Sequence, residues 1–481
     1  MNVADDNARP ATDALLLDLA DYVVGAAPGD DATYETASWA LLDAVGCGLL
    51  ALNHPACRRF VAAIGAGTAT TGGVPVPGTN MRLDAVNAAF AIGAANRWLD
   101  FNDTWLAKEW GHPSDNAAAI LTAAAQRNQL AGGGDRLLLV GDVLAAMVKA
   151  YEIQGILAMN TAFNRLGLDH VFLLRLASTA VTTWLLGGSR DEVANAMSQV
   201  FADGAALRTY RHAPNTGPRK SWASGDAASR AVRLALLTLA GEPGYPGVLS
   251  TPTWGFDDVV LRGASLSLPR PPGSYVMDNL LFKVLHPAEF HAQTALEAAI
   301  ALHPKVIGRI DDVAAVHIST QESAVRIISK TGPLHNAADR DHCLQYIVAI
   351  GLLKGGLTAE DYDDAAANDP RIDQLREGMT VSENPDFTAD YLDPQRRSIA
   401  NTVHVRFTDG TRTDSVTVEY PLGHRRRRDE AWPQLRQKLH DNVLARLPRA
   451  QTAAVMRAAD DHAFLSGLRV EDFLRLFERQ M

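Results

Sequence analysis

The sequence predicts a mostly α-helical fold, made of a large all-helical domain and a smaller α+β domain inserted into it. Three observations along the chain lead to this prediction. Apolar residues recur at helical spacing almost throughout residues 12–240. A long connection rich in Gly, Pro and aromatic residues follows at 241–281, and such connections often join domains. Beyond residue 282, helical spacing and strand-like alternation are mixed.

The first half of the chain is predicted to form a helical bundle. Ser189 followed by Glu192 is typical of a capping box, and residues 132–134 are glycines that separate two helices. Many of the helices are apolar on more than one face, which favours burial inside a large bundle. The predicted helices lie near 12–26, 33–52, 83–100, 116–130, 136–157, 171–186, 190–206 and 225–240.

The second half is predicted to be mixed, with helices near 291–302 and 343–353 and a strand at 313–319. A β-hairpin is predicted where the alternating run 403–407 is followed by Asp409-Gly410 and a second alternating run at 416–420. Helical spacing returns near 432–447 and 468–479. The predicted units are a helical domain at 1–275, an α+β domain at 276–428, and C-terminal helices at 429–481 that rejoin the helical domain.

Composition excludes several classes of protein. The 481 residues carry a net charge of −10, which argues against a protein that coats nucleic acid and against a basic protein that binds membrane surfaces. Cys47, Cys57 and Cys343 are too scattered for a disulfide framework or an iron–sulfur cluster, so we expect a reducing, cytoplasmic location. The polar start of the chain lacks the features of a signal peptide, and the apolar run 41–52 is too short to span a membrane.

Arginines fill positions 425–428 and form the most obvious charge run. A solvated loop or a subunit contact is the favoured interpretation, because charge runs are commonly solvent-exposed. Nucleic-acid binding through this run is the alternative, and salt-dependent binding would test it.

A basic segment at 208–224 carries four cationic side chains and His212, with no acidic residue among them. Two prolines predict that the segment is a loop. It is either a basic surface loop or a pocket for a small polyanion, because guanidinium groups match the geometry of carboxylates.

A second segment, DFNDTWLAKEWGHPSD at 100–115, places carboxylates, Thr104 and His112 among tryptophans. Apolar walls beside titratable groups shift their pKa values, as catalytic acids and bases require. The alternative is a helix end with polar caps, in which Ser114 or Asp115 caps the following helix.

A third segment, FKVLHPAEFH at 282–291, has two histidines, a lysine and a glutamate that we expect to face one cavity. The HExxH pattern of zinc proteases is absent and Pro287 interrupts the register, so no metal is predicted. His170, alone in GLDHV, is typical of a hydrogen-bonded core or boundary residue. Dinucleotide-binding, P-loop and GxSxG motifs are also absent from the sequence.

Several stretches between about residues 40 and 425 resemble the MmgE/PrpD family, and its dehydratase branch in particular. They are DFNDTW with a downstream HPSDN, NRLGLDHV, LRTYRHAPNTGPRKSWASGDAASRAVRLA, GYPGVLSTPTWGF, SYVMDNLLFKVLHPAEFHAQTA, ADRDHCLQYIVAIGLL and RSIANTVHVRFTDGT.

The resemblance implies a helical domain built from both ends of the chain, and a homodimer with an active site in the cleft between domains. It implies a hydro-lyase that uses no cofactor and removes water from 2-methylcitrate, a small tricarboxylate, to give 2-methyl-cis-aconitate in propionate catabolism. In the related cis-aconitate decarboxylases of the family, the cleft residues correspond to Asp100, Thr104, His112, His170, Lys220 and Lys283.

The expected site therefore combines a catalytic set with a set of groups that bind substrate carboxylates. The catalytic set is Asp100, Thr104, His112 and His170. The carboxylate-binding set is Arg208, Arg211, Arg219, Lys220, Lys283 and His286. The alternatives are a family member that hydrates or decarboxylates cis-aconitate or a citrate-like acid, and a non-catalytic helical protein that binds an anionic metabolite.

Overall fold

The computed structural model describes residues 8–204 and 206–479, and α-helices dominate it. Of the nine helices described before residue 240, eight correspond to predicted ones, whereas the helix at Pro55–Gly65 was not predicted. The capping box at Ser189 is confirmed. The helices before residue 240 are α1 (Ala14–Val24), α2 (Asp31–Ala51), α3 (Pro55–Gly65), α4 (Ala85–Arg97), α5 (Ala117–Leu130), α6 (Val140–Asn160), α7 (Val171–Leu185), α8 (Arg190–Ala202) and α9 (Arg219–Leu239).

Two short antiparallel strand pairs interrupt the helical part, so the prediction of helix almost throughout residues 12–240 is wrong there. The strands are β1 (Ala69–Pro75), β2 (Arg82–Leu83), β3 (Trp105–Leu106) and β4 (Trp110–Gly111). The sequence ATTGGVP of β1 has two glycines and two threonines, which disfavour helix. The β3–β4 pair lies within the segment that carries Thr104 and His112, and both of its tryptophans are buried.

Helix α9 begins six residues earlier than predicted, which corrects the assignment of residues 219–224 to a loop. Pro218 occupies the N-cap position, where its missing N–H is tolerated, so it starts the helix rather than preventing it. The Cα atom of Gly225 lies only 2.8 Å from where a Cβ on Gly93 of α4 would be. This close crossing of α4 and α9 requires glycine and brings the end of α4 near the start of α9.

The second half combines short helices with a four-stranded sheet. Its strands lie in the order β6 (Met379–Glu383), β5 (Val313–Thr320), β7 (Asn401–Phe407) and β8 (Val416–Val418). Strands β5 and β6 are parallel, and the other pairs are antiparallel. The helices are α10 (Phe256–Val259), α11 (Tyr275–Asp278), α12 (Gln293–Val306), α13 (Glu322–Ile328), α14 (Ala337–Arg340), α15 (Leu344–Lys354), α16 (Asp364–Ala367), α17 (Pro370–Glu377) and α18 (Pro385–Leu392).

The predicted hairpin is confirmed, because Val403 of β7 pairs with Val416 of β8. Gly410 has a φ of +83° in the connecting turn, a conformation that suits glycine. The second strand ends at Val418, two residues before its predicted end at Tyr420.

The last helices are α19 (Arg428–Leu444), α20 (Arg449–Ala459), α21 (His462–Gly467) and α22 (Val470–Leu476). Their apolar residues pack in one hydrophobic core with those of the first half, and Leu439 lies against Gly46 of α2. A second core is formed mainly by α12, α15 and the inner face of the sheet. The fold is thus mostly α-helical with a smaller α+β part.

Among the residues that the structure describes, no single helix is both long and apolar enough to cross a membrane. Helices α2 and α3 reach the required length and composition only as a pair, and the two are bent by 100°.

Candidate active site

The carboxylate of Asp100 lies at the centre of a buried charged cluster, just after α4. Its Oδ1 atom is 2.7 Å from Arg97 Nη1, and it also accepts a hydrogen bond from Lys283. Lys283 Nζ donates a second bond to the carbonyl oxygen of Asp100 at 2.6 Å. Burial raises the pKa of Asp100, but Arg97 and Lys283 together hold it well below its usual value. Asp100 is therefore charged at neutral pH.

Asp100 also has a φ of +51°, a left-handed conformation that few side chains adopt. Aspartate tolerates this region because its short polar side chain can bond locally. The turn aims the carboxylate back toward Arg97 and inward toward Lys283.

His112 follows β4, and both of its ring nitrogens are occupied. Nδ1 lies 2.6 Å from the carbonyl oxygen of Asp103 and 3.3 Å from Thr104 Oγ1, while Nε2 lies 2.7 Å from Arg97 Nη2. A carbonyl only accepts and a guanidinium only donates, so Nδ1 carries the proton. Burial, and then Arg97, lowers the pKa of His112 well below its usual value, so the ring is neutral.

The residues after His112 do not form the predicted cap. A 3-10 turn at Pro113–Asn116 precedes α5, whose N-cap is Asn116. Ser114 donates instead to Asp103, and Asp115 accepts from Asn102. These bonds fix the backbone that positions the imidazole of His112.

His170 lies at the start of α7, with its ring centre 5.9 Å from that of His112. Both ring nitrogens are enclosed and neither makes a hydrogen bond to a described residue, although Nδ1 lies 3.3 Å from Asp169 Oδ1. Burial lowers the pKa of His170 well below its usual value, which keeps the ring neutral. His170 is thus not the hydrogen-bonded core histidine that its sequence context suggests. Unpaired buried nitrogens are costly and favour a role facing a ligand.

Arg208 and Arg211 lie beside His170 in the predicted basic segment. Arg211 forms a two-pronged ion pair with Asp169, which neutralises it. The guanidinium of Arg208 lies 4.8 Å from the ring centre of Trp110, and its buried Nη1 atom is 3.8 Å from Glu109 Oε1. This Nη1 makes no hydrogen bond to a described residue, so Arg208 faces Glu109 through charge alone.

Lys220, in the first turn of α9, contacts both carboxylate oxygens of Asp341. Asp341 and His342 lie between α14 and α15, and Asp341 Oδ1 is 2.7 Å from His342 Nδ1. Sequence reasoning missed both residues as members of the site. They lie within ADRDHCLQYIVAIGLL, one of the stretches that carry the family resemblance, so that stretch was the available signal.

A cavity of about 350 Å³ borders the cluster, and its lining includes Lys220, Asp341, Trp98 and Tyr362. Cavities of this size hold small organic ligands. The cavity therefore adjoins the cluster at the ion pair between Lys220 and Asp341.

Two predicted residues lie apart from this cluster. Arg219 is more than one-third exposed, stacks on Trp222 at 4.2 Å and pairs with Asp226. His286 Nδ1 is 2.8 Å from the carbonyl oxygen of Leu357. The described contacts of both residues are with these groups rather than with Asp100, and their binding roles stay predictions.

That the titratable residues of 282–291 face one cavity stays a prediction. Lys283 donates to Asp100, and Glu289 pairs with His291 at 2.8 Å. Burial raises the pKa of Glu289, but His291, His342 and Lys283 together hold it below its usual value. Pro287 lies between these groups, and the chain adopts no regular helix there that would align them.

Ligating atoms of Asp100, Asp341 and His342 lie within 4.8 Å of one another, a spacing that also occurs at metal sites. The two carboxylates are already neutralised by Lys283 and Lys220. A metal cation here would be repelled by both ammonium groups, so the donor set does not fit a metal.

Comparison with known proteins agrees with this arrangement of helical and mixed parts. The MmgE/PrpD N-terminal domain matches residues 17–269, and the MmgE/PrpD C-terminal domain matches residues 286–462. The chain belongs to the MmgE/PrpD family.

Curated relatives within that family align along nearly the whole chain. The 2-methylcitrate dehydratase of Escherichia coli strain K12 is 52% identical over 482 residues, covering 99% of this chain and 100% of the relative. That of Cupriavidus necator is 53% identical over 474 residues, covering 98% of each. The mitochondrial 2-methylcitrate dehydratase of Yarrowia lipolytica is 49% identical over 484 residues, covering 100% of this chain and 93% of the relative.

Proposed function

We propose that this protein is a hydro-lyase that removes water from 2-methylcitrate to form 2-methyl-cis-aconitate, in the methylcitrate cycle of propionate catabolism. Full-length relatives with this activity in their names support the assignment. The structural observation that carries it is the buried cluster, in which cations and neutral imidazoles surround Asp100.

The cluster is suited to a substrate with several carboxylates. Arg97, Lys220 and Lys283 are three buried cations, and Asp100 and Asp341 are the two carboxylates that face them, which leaves one positive charge in excess. Removal of a proton beside a carboxylate develops enolate-like charge, and fixed cations stabilise such charge strongly in a dry site. One carboxylate of a tricarboxylate would balance this excess.

Dehydration needs a base that takes the proton from carbon and an acid that protonates the leaving hydroxyl. We assign proton transfer to His112 and Asp100, with His170 as the alternative partner. Thr104, 3.3 Å from His112 Nδ1, would help to hold that ring. Arg208 and Arg211, with Lys220, Lys283, Arg219 and His286, remain the proposed carboxylate-binding set.

The first test is dehydration of 2-methylcitrate by chelator-treated protein, followed by ultraviolet absorbance of the new conjugated double bond. We expect absorbance to rise without added metal or cofactor, because lysines already neutralise the carboxylates. Release of CO₂ from cis-aconitate, with no reaction of 2-methylcitrate, would instead assign the protein to decarboxylation. Ligand-induced thermal stabilisation without turnover of either acid would indicate a metabolite-binding protein.

We further infer a helical domain at 1–275 joined by the helices of 429–481, with an α+β domain at 276–428 between them. The shared packing of Leu439 with the first-half core supports this division. We also propose a cytoplasmic homodimer. Trp254 and Val259, which are 81% and 62% exposed, offer an uncovered apolar surface, and light scattering after size exclusion would measure the assembly.

A further inference from the structure

Asp341 and His342 form a carboxylate–imidazole pair with a defined direction. His342 Nδ1 lies 2.7 Å from Asp341 Oδ1 and 3.1 Å from Lys220 Nζ. Lys220 Nζ contacts both oxygens of Asp341 more closely than it contacts the ring, so we assign the Nδ1 proton to the shorter bond with Asp341, which leaves the lone pair on Nε2. No hydrogen bond from a described residue reaches Nε2, and the side chain keeps 10% exposure. A small ligand can therefore reach this nitrogen.

The pair lies on the opposite side of Asp100 from His112. The Oδ1 atom of Asp100 is 3.7 Å from His112 Nε2, and its Oδ2 atom is 3.9 Å from His342 Nδ1. His112 and Asp100 come from the helical core region, whereas Asp341 and His342 come from the segment packed in the second core. The two imidazoles thus approach one carboxylate from the two parts of the fold.

The three imidazoles near Asp100 differ in what their nitrogens can do. Both nitrogens of His112 are engaged, by Arg97 and by the Asp103 carbonyl. Neither nitrogen of His170 makes a hydrogen bond to a described residue, but both are enclosed, and Nδ1 faces Asp169 at 3.3 Å. Within the described part of the chain, His342 is the imidazole of this group whose free nitrogen is also accessible.

We infer that His342, oriented by Asp341, is a further catalytic residue that accepts the proton from the substrate carbon at Nε2. This inference rests on the proposed dehydration. The C–H bond breaks and its electron pair forms the second bond of the alkene, while the C–O bond breaks and hydroxide leaves. Asp100 is charged and His112 and His170 are neutral, so none of them brings a proton of its own to this step. The proton that His342 accepts passes on through this group to the hydroxide and gives water, which returns every residue to its starting protonation state.

Burial and the neighbouring Lys220 lower the pKa of His342 to about 4, and Asp341 only partly opposes them. The ring is therefore neutral in the unliganded protein and able to accept a proton. Asp341 acts as a positioning residue, because it fixes the tautomer that leaves Nε2 free.

The test compares His342→Asn with a matched His335→Asn control. Asparagine keeps a donor near Nδ1 but removes Nε2, and His335 is an exposed histidine seven residues earlier in the same part of the chain. We expect kcat of His342→Asn to fall by about 10²–10⁴-fold, the usual contribution of a proton-transfer group, with KM and the thermal midpoint nearly unchanged. The control should match wild type.

A second variant, His342→Gly, should regain activity when imidazole is added, which a purely structural role would not produce. Retention of more than about a tenth of wild-type kcat in His342→Asn would overturn the inference, given the usual size of the effect. If that variant fails to fold, His342→Gln is judged by the same criterion. Inactive wild-type protein would instead refute the proposed dehydration itself, so the two failures are distinguishable.

Discussion

Replacing Asp100 by asparagine removes the anion that faces Arg97 and Lys283 while preserving the shape of the side chain. Breaking a buried ion pair from one side costs about 3–5 kcal/mol, because the remaining charge is left uncompensated. Unfolding entropy of about 2.1 cal/mol/K per residue corresponds to roughly 1 kcal/mol/K for this chain of 481 residues. The thermal midpoint of Asp100→Asn should therefore fall by about 3–5 °C.

The backbone effect at this position can be separated from the charge effect. Asparagine tolerates the positive φ of residue 100, whereas alanine there costs about 1–2 kcal/mol more. Asp100→Ala should therefore melt about 1–2 °C below Asp100→Asn on the same entropy scale. Differential scanning calorimetry of the three proteins measures both steps.

The pH dependence of the Asp100→Asn difference has a definite sign. A carboxyl whose folded pKa is depressed adds stability above its unfolded pKa of about 3.9, and that stability is lost as pH falls toward the folded pKa. The difference in midpoint should be constant between about pH 5 and 8 and shrink below about pH 4. An unchanged midpoint at neutral pH, or a difference that grows on acidification, would refute the electrostatic reasoning.

Gly225→Ala should lower the thermal midpoint and kcat together. The Cβ of the new alanine would lie 2.5 Å from a backbone oxygen of α4, and relieving this clash would displace the α9 turn that carries Lys220. Calorimetry and turnover measure the two effects, and an unchanged kcat would contradict the coupling. Burial raises the pKa of the Glu109 carboxyl to about 7, although the charge of Arg208 opposes the shift. A group whose folded pKa is raised loses its contribution to stability as pH rises through that pKa. The stability of the wild-type protein should therefore fall relative to that of Glu109→Gln between about pH 5 and pH 8. Urea unfolding at both pH values tests this, with a pH-independent difference as the contrary result. His286→Asn should raise KM and leave kcat unchanged, because His286 belongs to the proposed carboxylate-binding set while its ring bonds a backbone carbonyl outside the cluster. An unchanged KM would remove His286 from that set.

Local sequence patterns were sufficient for most helices and for the hairpin at Asp409-Gly410. They failed where long-range pairing decides the structure. Strand β6 pairs in parallel with β5 across a stretch of helices, and its sequence MTVSE alone has no strong alternation. The start of α9 was missed because prolines were interpreted only as helix breakers, although Pro218 is compatible with the first turn of a helix.

The candidate site was predictable only in part for a similar reason. The unusual composition of 208–224 indicated an anion site, and the family resemblance indicated Asp100, His112 and Lys283. Asp341 and His342 resemble ordinary polar residues at a helix end. Their importance follows from Lys220, which is 121 residues away from Asp341 in the sequence and contacts it only after folding. Arg97 was likewise hidden, because a single arginine at a helix end is common.

The division of the charged cluster between two hydrophobic cores has a consequence for how activity is acquired during folding. Arg97 and His112 belong to the part built on one core, and Asp341 and His342 to the part built on the other. A chain in which only one core has formed can have native helices and yet hold half of the cluster. Recovery of turnover after dilution from denaturant should therefore lag behind recovery of helical circular dichroism, and the lag reports the time that the two halves need to dock.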